Sequence, residues 1–575
     1  MPFPKLKARH FFPAWLWLKE YNQPKFKEDL LASVIVLAML VPQGMAYAMI
    51  AGLPPMMGLY ASILPMIIYA WVGGSLTLSI GPVALISMMT FATLAPLYEV
   101  GSPVYIQAAC LLAVLVGLIS FFLGFFRFGF LIRLISQPVI KSFIIASALL
   151  IALGQIKFLL DIPLQTSNVI EFTRSAYEYL RFSSLSTLLL GTLAILFLIY
   201  MPRLLKNPLF KRINGTHQLF SKALPLMLVM MSIALVYFTP LDQLGVKTVG
   251  EIPSGFPPFA IPFWNLDLVL KLLPGAAMIA MVSFVESISI AQATAFQQRS
   301  QLNSNQELIA LGLANLSAGV SSAFPVTGSL SRTVVNADAG AKTPMAGVLS
   351  SLFIILVSLY FTGLFQHLPL AILAATIIVS IWKLVSIKPF IEAWKYSKAD
   401  GLAMWVTFLG VLCIDISTGL MIGIVSTFIL LLWRISRPHM AVIGLVENTQ
   451  HFRNISRHDV LTSQNLISIR IDENLSFLNA NTLKEFIIQQ VSQADALRHV
   501  VINCSSISNI DLSALEALED INMELSKINI QLHLTEIKGP VMDRLKKSNL
   551  FKDLSGQIYL THYQAVHELD AKSFC

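Results

Sequence analysis

Apolar runs of about twenty residues, separated by short polar stretches, recur along this 575-residue chain from residue 30 to residue 434. They fall near 30–51, 57–73, 82–99, 104–125, 138–156, 183–201, 222–240, 270–296, 305–323, 326–338, 345–366, 368–386, 400–417 and 418–434. A helix of roughly twenty apolar residues spans a bilayer, so the pattern predicts about fourteen transmembrane segments, several of them short or broken. Beyond Arg434 and Arg437 the pattern changes. Strand-length apolar runs at Leu466 to Ile471, His499 to Asn503 and Ile528 to Leu534 alternate with helical periodicity near 480–494, 511–526 and 540–547, which predicts a small α/β domain. The expected division is an N-terminal segment 1–29, a transmembrane domain 30–436 and a soluble domain 440–575.

Composition sharpens this picture. Hydrophobic residues make up 55% and charged residues only 13% of the chain, and mean hydropathy is +0.70, which excludes a wholly soluble enzyme. The net charge of +8 comes from basic clusters beside the apolar runs, which fits helix orientation and contact with membrane lipid; no base-reading motif points to nucleic acid. Arg203, Lys206, Lys211, Arg212 and Lys222 share one loop, and Lys383, Lys388, Lys395 and Lys398 another. An even number of spans puts both loops on the side of the basic N-terminus (Lys5, Lys7, Arg9), making both chain termini cytoplasmic. The Pro-broken patch Phe11 to Leu18 is too short for a signal-peptide core and is expected to lie on the membrane surface. Cys110, Cys413, Cys504 and Cys575 have no metal-binding or disulfide spacing, and no phosphate-cradling loop is present. No cofactor and no metal site is expected.

Two interrupted stretches stand out inside the apolar runs: Leu78-Ser79-Ile80-Gly81-Pro82-Val83-Ala84 and Ser322-Ala323-Phe324-Pro325-Val326-Thr327-Gly328-Ser329. Irregular backbone at membrane depth survives only where protein or a water-filled cavity satisfies it. Each proline is expected in the first turn of a helix that begins within the membrane. Pro82 follows Gln43, and Pro325 follows Glu286, by the same interval, which suggests a two-fold inverted repeat. Paired broken segments mark transporter binding sites, and two converging helix N-termini favour an anion.

Val41-Pro42-Gln43-Gly44-Met45-Ala46-Tyr47-Ala48, with Ala51-Gly52-Leu53-Pro54-Pro55 and Gly58-Leu59-Tyr60, closely resembles the first-span signature of the sulfate permease family, equivalent to solute carrier family 26. Ser79 to Leu85, Val285 to Ser289 and Ser329 to Thr333 resemble its third, eighth and tenth spans, and residues 440–575 resemble its STAS domain. The resemblance implies a mostly α, polytopic membrane protein with fourteen spans in a seven-plus-seven inverted repeat of core and gate domains. The anion-site candidates it carries over are Gln43, Tyr47, Val83, Ser329 and Arg332. Gln43 and Ser329 can donate hydrogen bonds, Arg332 supplies a fixed positive charge, Val83 offers its backbone N–H, and Tyr47 shapes the pocket or donates its hydroxyl.

Glu286 lies within an apolar stretch, where an ionised carboxylate must take up a proton or pair with a cation such as Arg332. A protonatable acid beside an anion site can couple a proton to transport. Some relatives that couple bicarbonate to sodium place Asp at this position and a hydroxyl residue four further on; here that residue is Ile290, although Ser287 and Ser289 leave sodium possible. Ile510 to Leu515 resembles the Asp-x-Ser turn of STAS domains, making Asp511 and Ser513 candidates for a regulatory site or simply for a helix cap.

The expected activity is therefore secondary transport of a small inorganic oxyanion, sulfate first, by proton symport through a rocking core, in a bacterial-type inner membrane. No enzymatic activity is expected. The expected partners are the anion, the proton, membrane lipid, a second copy in a homodimer and a cytoplasmic regulator of the STAS domain. Competing readings are a sodium- or proton-coupled bicarbonate or dicarboxylate transporter, an anion exchanger, and a STAS-gated anion channel.

Overall fold

The computed structural model describes residues 13–130, 136–164, 168–205, 217–239, 245–251, 254–260, 262, 264–297, 302–382, 384–494 and 496–571. Lys5, Lys7, Arg9, Lys206, Lys211, Arg212, Lys383 and Cys575, all named above, lie outside the described residues. The chain divides into two compact units, Met1–Thr427 and Phe428–Cys575.

The first unit is helical. Its first half comprises α1 (Ala14–Lys19), α2 (Gln23–Ile50), α3 (Pro55–Tyr60), α4 (Leu64–Val72), β1 (Ile80–Gly81), α5 (Ala84–Leu94), α6 (Pro103–Phe125), α7 (Gln137–Leu160), α8 (Val169–Tyr179), α9 (Leu185–Leu205) and α10 (His217–Phe238). The second half comprises α11 (Leu266–Gln297), α12 (Ser304–Val320), β2 (Thr327–Gly328), α13 (Leu330–Asp338), α14 (Met345–Tyr360), α15 (Leu370–Trp382), α16 (Lys388–Tyr396), α17 (Lys398–Cys413) and the first part of α18 (Ile416–Ser436), whose residues from Phe428 on belong to the second unit. Seven helical spans among the described residues are long and apolar enough to cross a membrane; shorter apolar helices, including α5, α14 and α15, accompany them.

The inverted repeat is legible in who packs against whom. α6 lies against α11 and α12, and its counterpart α14 lies against α2 and α4. α5 packs on α11, and α13 on α2; α7 packs on α15 and α17, and α15 on α7 and α9. Exchanging the halves turns each set of contacts into the other. The core domain is α2 to α6 with α11 to α14, and the gate is α7, α9 and α10 with α15, α17 and α18.

Local chemistry places the helix ends. Asn22 accepts from the Lys25 amide at 3.1 Å and Pro24 occupies the first turn of α2, so this helix starts earlier than its apolar run. The second span is interrupted at 61–63, giving α3 and α4 in place of one helix. On α1 Trp15 and Leu16 are exposed, whereas Ala14 and Trp17 are buried.

The second unit is an α/β domain: β3 (Met440–Leu445), β4 (Phe452–Asn454), β5 (Leu466–Ile471), α19 (Ala480–Val491), β6 (His499–Asn503), α20 (Leu512–Lys527), β7 (Gln531–Thr535), α21 (Gly539–Leu545), α22 (Leu550–Asp553), β8 (Ile558–Tyr559) and α23 (His562–Asp570). The sheet order is β4-β3-β5-β6-β7-β8; β3 is antiparallel to its neighbours and β5 to β8 run parallel. Val500 and Ile502 of β6 face a core with Leu483, Ile487, Leu518 and Ile521 of α19 and α20. Val501 points to the other face, under Ala565 and Val566 of α23. The third expected strand begins at Gln531, not Ile528, because α20 runs to Lys527 and Asn529 then turns through φ 60°.

Candidate anion site

Two extended segments, one from each half, cross between the helices of the core. Ile80 pairs with Gly328 and Gly81 with Thr327 in an antiparallel bridge. Each segment then turns into a short helix: α5 after Val83 (φ −136°, ψ 142°) and α13 after Ser329 (φ −104°, ψ 120°). The prolines therefore do not open the helices, contrary to the expectation that each sits in a first helical turn. Pro82 follows the bridge directly and Pro325 precedes it, because the residues on the helix side are needed for the crossing strands.

Polar side chains from neighbouring helices make this irregular backbone tolerable. Asn315 of α12 brackets Val326, accepting from its amide at 2.8 Å and donating to its carbonyl at 3.0 Å. The Gly328 amide donates to Ser287 Oγ at 2.8 Å, and Thr327 Oγ1 donates to the Ser283 carbonyl at 3.0 Å. The Ser329 amide donates to the Ser79 carbonyl at 2.9 Å, and the Ser79 amide donates to Thr333 Oγ1 at 3.0 Å. Sequence reasoning missed Asn315; its signal is one amide in the Leu308 to Ala318 run, where Ser317 is the only other polar side chain.

Arg332 is fully buried and stitches the halves together, its Nη1 donating to the Pro82 carbonyl at 2.9 Å. Its Nε and Nη2 are buried with no protein acceptor. Gly81, at φ 155°, makes room for this guanidinium: a Cβ there would lie 3.1 Å from Nη2. Ser329 caps α13, its Oγ accepting from the Arg332 amide at 3.5 Å and lying 3.3 Å from Ser331 Oγ.

Gln43 and Tyr47 are buried on α2. A Cβ at Gly58 would sit 1.9 Å from the Gly44 carbonyl oxygen, so α2 and α3 touch backbone to backbone beside Gln43. A Cβ at Gly44 would lie 3.8 Å from Pro82 Cγ, which puts this stretch of α2 at the crossing. Val83 is half-buried at the start of α5. Tyr47, Glu286 and Arg332 interact electrostatically with one another.

The structure thus brings the six transmembrane candidates to one place and leaves polar atoms there unpaired. Gln43 Oε1 and Glu286 Oε2 are buried without partners. The alternative in which Glu286 is locked in an ion pair with Arg332 is not what the structure shows, since Oε2, Nε and Nη2 all remain unpaired. The buried hydroxyls of Ser87 on α5 and Ser283 on α11 are also unpartnered and were missed from the sequence, where single serines in apolar helices look like packing residues. Ser87 stands one turn beyond Val83, whose carbonyl accepts its amide at 2.9 Å.

Other buried acids behave differently. Glu307 accepts from Tyr69 Oη and the Gly74 amide, each at 2.7 Å. Asp29 accepts from the Lys342 and Thr343 amides at 2.7 and 3.2 Å. Both are structural. Asp415 accepts from the Thr418 amide at 2.9 Å and caps α18.

In the second unit Asp511 uses both carboxylate oxygens, accepting from the Ala514 amide at 2.9 Å and the Phe477 amide at 2.8 Å. It is the cap of α20, and Ser513 beside it is exposed. Among the described residues no group of three or more His, Cys, Asp or Glu side chains is placed to hold a metal ion.

Comparison with known proteins follows the same division. The model of the sulfate permease family matches residues 26–407, and that of the STAS domain matches 457–565. The chloroplastic sulfate transporter 4.1 of Arabidopsis thaliana is 33% identical over 564 residues, covering 94% of this chain and 81% of the relative. The high affinity sulfate transporter 1 of Stylosanthes hamata is 30% identical over 583 residues, covering 98% and 86%. Among solved structures, the murine solute carrier 26 family member A9 anion transporter in the inward-facing state superposes with a TM-score of 0.90 at 23% identity, covering 99% of this chain and 96% of that one. The transmembrane domain of the cyanobacterium bicarbonate transporter BicA covers 71% of this chain and 98% of its own, with a TM-score of 0.59 at 20% identity.

Proposed function

The chain belongs to the sulfate permease family of membrane transporters, which are not enzymes, and from that membership we propose that it carries sulfate into the cell by proton symport. The observation that carries the reading is Arg332: a buried guanidinium with Nε and Nη2 unpaired, between the starts of two half-helices. A desolvated cation beside two positive helix ends is stable only where an anion completes it. Arg332 holds one sulfate oxygen, the first turns of α5 at Val83 and α13 at Ser329 offer backbone amides, and Gln43 and Tyr47 close the pocket from α2. Ser87 and Ser283 supply further hydroxyl donors.

Glu286 is the proton carrier. A neutral carboxyl beside the bound dianion reduces the net charge that the core moves, and its release of a proton on the cytoplasmic side favours release of the anion. Sodium is less well served, since Ser287 Oγ already accepts from Gly328 and lies 2.9 Å from Thr327 Oγ1, and Ser289 Oγ donates to the Val285 carbonyl. Both chain termini lie in the cytoplasm, and the STAS domain serves homodimer assembly and regulation.

The test is uptake of radiolabelled sulfate by the purified protein in liposomes, with and without an inward proton gradient. Gradient-driven accumulation supports symport. Uptake that responds to trans anions and ignores the gradient assigns exchange, and currents far above carrier turnover assign a channel. No sulfate uptake by folded protein removes sulfate and moves the assay to bicarbonate with sodium, then to dicarboxylates.

A further inference from the structure

α8 and α16 occupy equivalent places in the two halves, each between a pair of gate helices: α8 between α7 and α9, α16 between α15 and α17. An inverted repeat puts equivalent elements on opposite faces of the membrane. Both present exposed apolar side chains, Ile170 and Tyr177 on α8, and Ile391, Trp394 and Tyr396 on α16. Their charge differs. Residues 168–182 carry Glu171, Arg174, Glu178 and Arg181, which cancel, whereas residues 387–398 carry Lys388, Lys395 and Lys398 against Glu392 alone. The lysines are exposed, and the Lys388–Glu392 pair, at 3.7 Å, is on the surface.

α16 is also fastened to the gate. Phe390 is buried, with ring centroids 4.8 Å from Trp405 and 5.2 Å from Phe408, in a cluster with Ile145 of α7 and Met404 of α17. Trp394 lies so close to α17 that a Cβ at Gly401 would meet its Cε3 at 2.6 Å. The Phe390 side of the helix is therefore fixed in protein, with the half-exposed Trp394 at its edge, and the opposite side offers Ile391, Tyr396 and the lysines. That combination suits the boundary between acyl chains and headgroups, where aromatic rings sit at headgroup level and ammonium groups meet phosphates.

We propose that α16, with Lys398 at the start of α17, is an anionic-phospholipid headgroup site on the cytoplasmic rim of the gate. Lys388, Lys395 and Lys398 bind the phosphates, Trp394 and Tyr396 enter the interface, and the Phe390 cluster passes that anchorage to α7 and α17. The gate is then held against the inner leaflet while the core moves. The side of the membrane rests on the orientation proposed above; the lipid chemistry does not.

The experiment places the full-length protein in phosphatidylcholine vesicles containing increasing mole fractions of phosphatidylglycerol with brominated acyl chains. Quenching of Trp394 is read as the difference between wild type and Trp394→Phe. Wild type should be quenched at a lower mole fraction by brominated phosphatidylglycerol than by brominated phosphatidylcholine, with the advantage reduced in about 0.5 M salt. The Lys388→Gln/Lys395→Gln/Lys398→Gln variant should shift the midpoint upward by about fivefold per lysine, and the corresponding Arg triple variant should keep it. Equal quenching by the two lipids in wild type, or an unchanged midpoint in the Gln variant, overturns the proposal. The readout needs no transport, so a failure here is separate from a failure of the sulfate assay.

Discussion

Replacing Arg332 by Lys keeps the positive charge but removes the fork. Nη1 of the guanidinium holds the Pro82 carbonyl at 2.9 Å while Nε and Nη2 have no protein partner, and the proposed reading gives those two to the anion. An ammonium on a flexible stem can serve the carbonyl or the anion, but not both in the same geometry. The loss is one charge-assisted hydrogen bond, about 1.5–3 kcal/mol, or roughly ten- to a hundredfold in sulfate affinity. Arg332→Gln also removes the charge. Two unit charges about 4 Å apart at an effective dielectric near 20 interact by roughly 4 kcal/mol, so this variant should fall up to about a thousandfold further. The assay is competition of unlabelled sulfate against radiolabelled sulfate in proteoliposomes, with thermal melting to confirm the fold. Lys within twofold of wild type would refute that reading. Gln equal to Lys would show that the charge is not what holds the anion.

Glu286→Gln should abolish accumulation driven by a proton gradient while leaving sulfate competition measurable; persistent pH-driven accumulation would remove the proton-carrier role. Gly81→Ala should weaken sulfate binding about as much as Arg332→Lys, because its Cβ would crowd Nη2 at 3.1 Å, and unchanged affinity would show that the guanidinium can shift freely. In the STAS domain, burial pushes His533 and His562 down to about 4, with the neighbouring His499 adding to the effect on His533. The unfolded chain, with histidines near 6.5, binds protons that the fold does not. Stability from this source is full above pH 6.5 and lost as pH falls toward 4, by about 2 kcal/mol for each histidine at pH 5. Hydrogen exchange over 499–503 and 531–535 in the full-length protein, corrected for intrinsic rates, should report the loss, and equal protection at pH 7 and pH 5 would contradict it.

The spans were legible because a bilayer demands contiguous apolar residues, and no tertiary context relaxes that demand. The crossing was harder to read. A two-residue strand has no periodicity, and its partner lies in the other half of the chain, so Pro82 and Pro325 looked like helix openers when they flank a β-bridge. Within the candidate site, Gln43 and Glu286 were visible as polar groups out of place in apolar sequence, whereas Arg332 came from the resemblance of Ser329 to Thr333 to the family's tenth span. Asn315, Ser87 and Ser283 were not visible, because a small polar residue in a helix reads the same whether it satisfies its own turn or faces a ligand. The STAS domain hid β8 and α23 for a related reason: β8 is two residues long, and α23 buries only His562, Ala565 and Val566.

A carrier must hold its ligand's partners fixed relative to one another while the path to the solution changes. The crossing meets that need through its connectivity. The Ile80–Gly328 bridge and the Arg332–Pro82 bond tie the start of α5 to the start of α13, so neither half-helix can shift without the other. Asn315 and Ser287 fasten the same strand to α12 and α11, which ties those core helices to the crossing. Glu286 lies among these fixed groups but is not itself tied through Oε2, whereas Glu307 and Asp29, elsewhere in the core, are tied by backbone amides. An acid whose oxygens are all engaged cannot exchange a proton without breaking its supports. Of these three acids, Glu286 is the one with a carboxylate oxygen left without a partner, and on that ground the proposed coupling step rests on it.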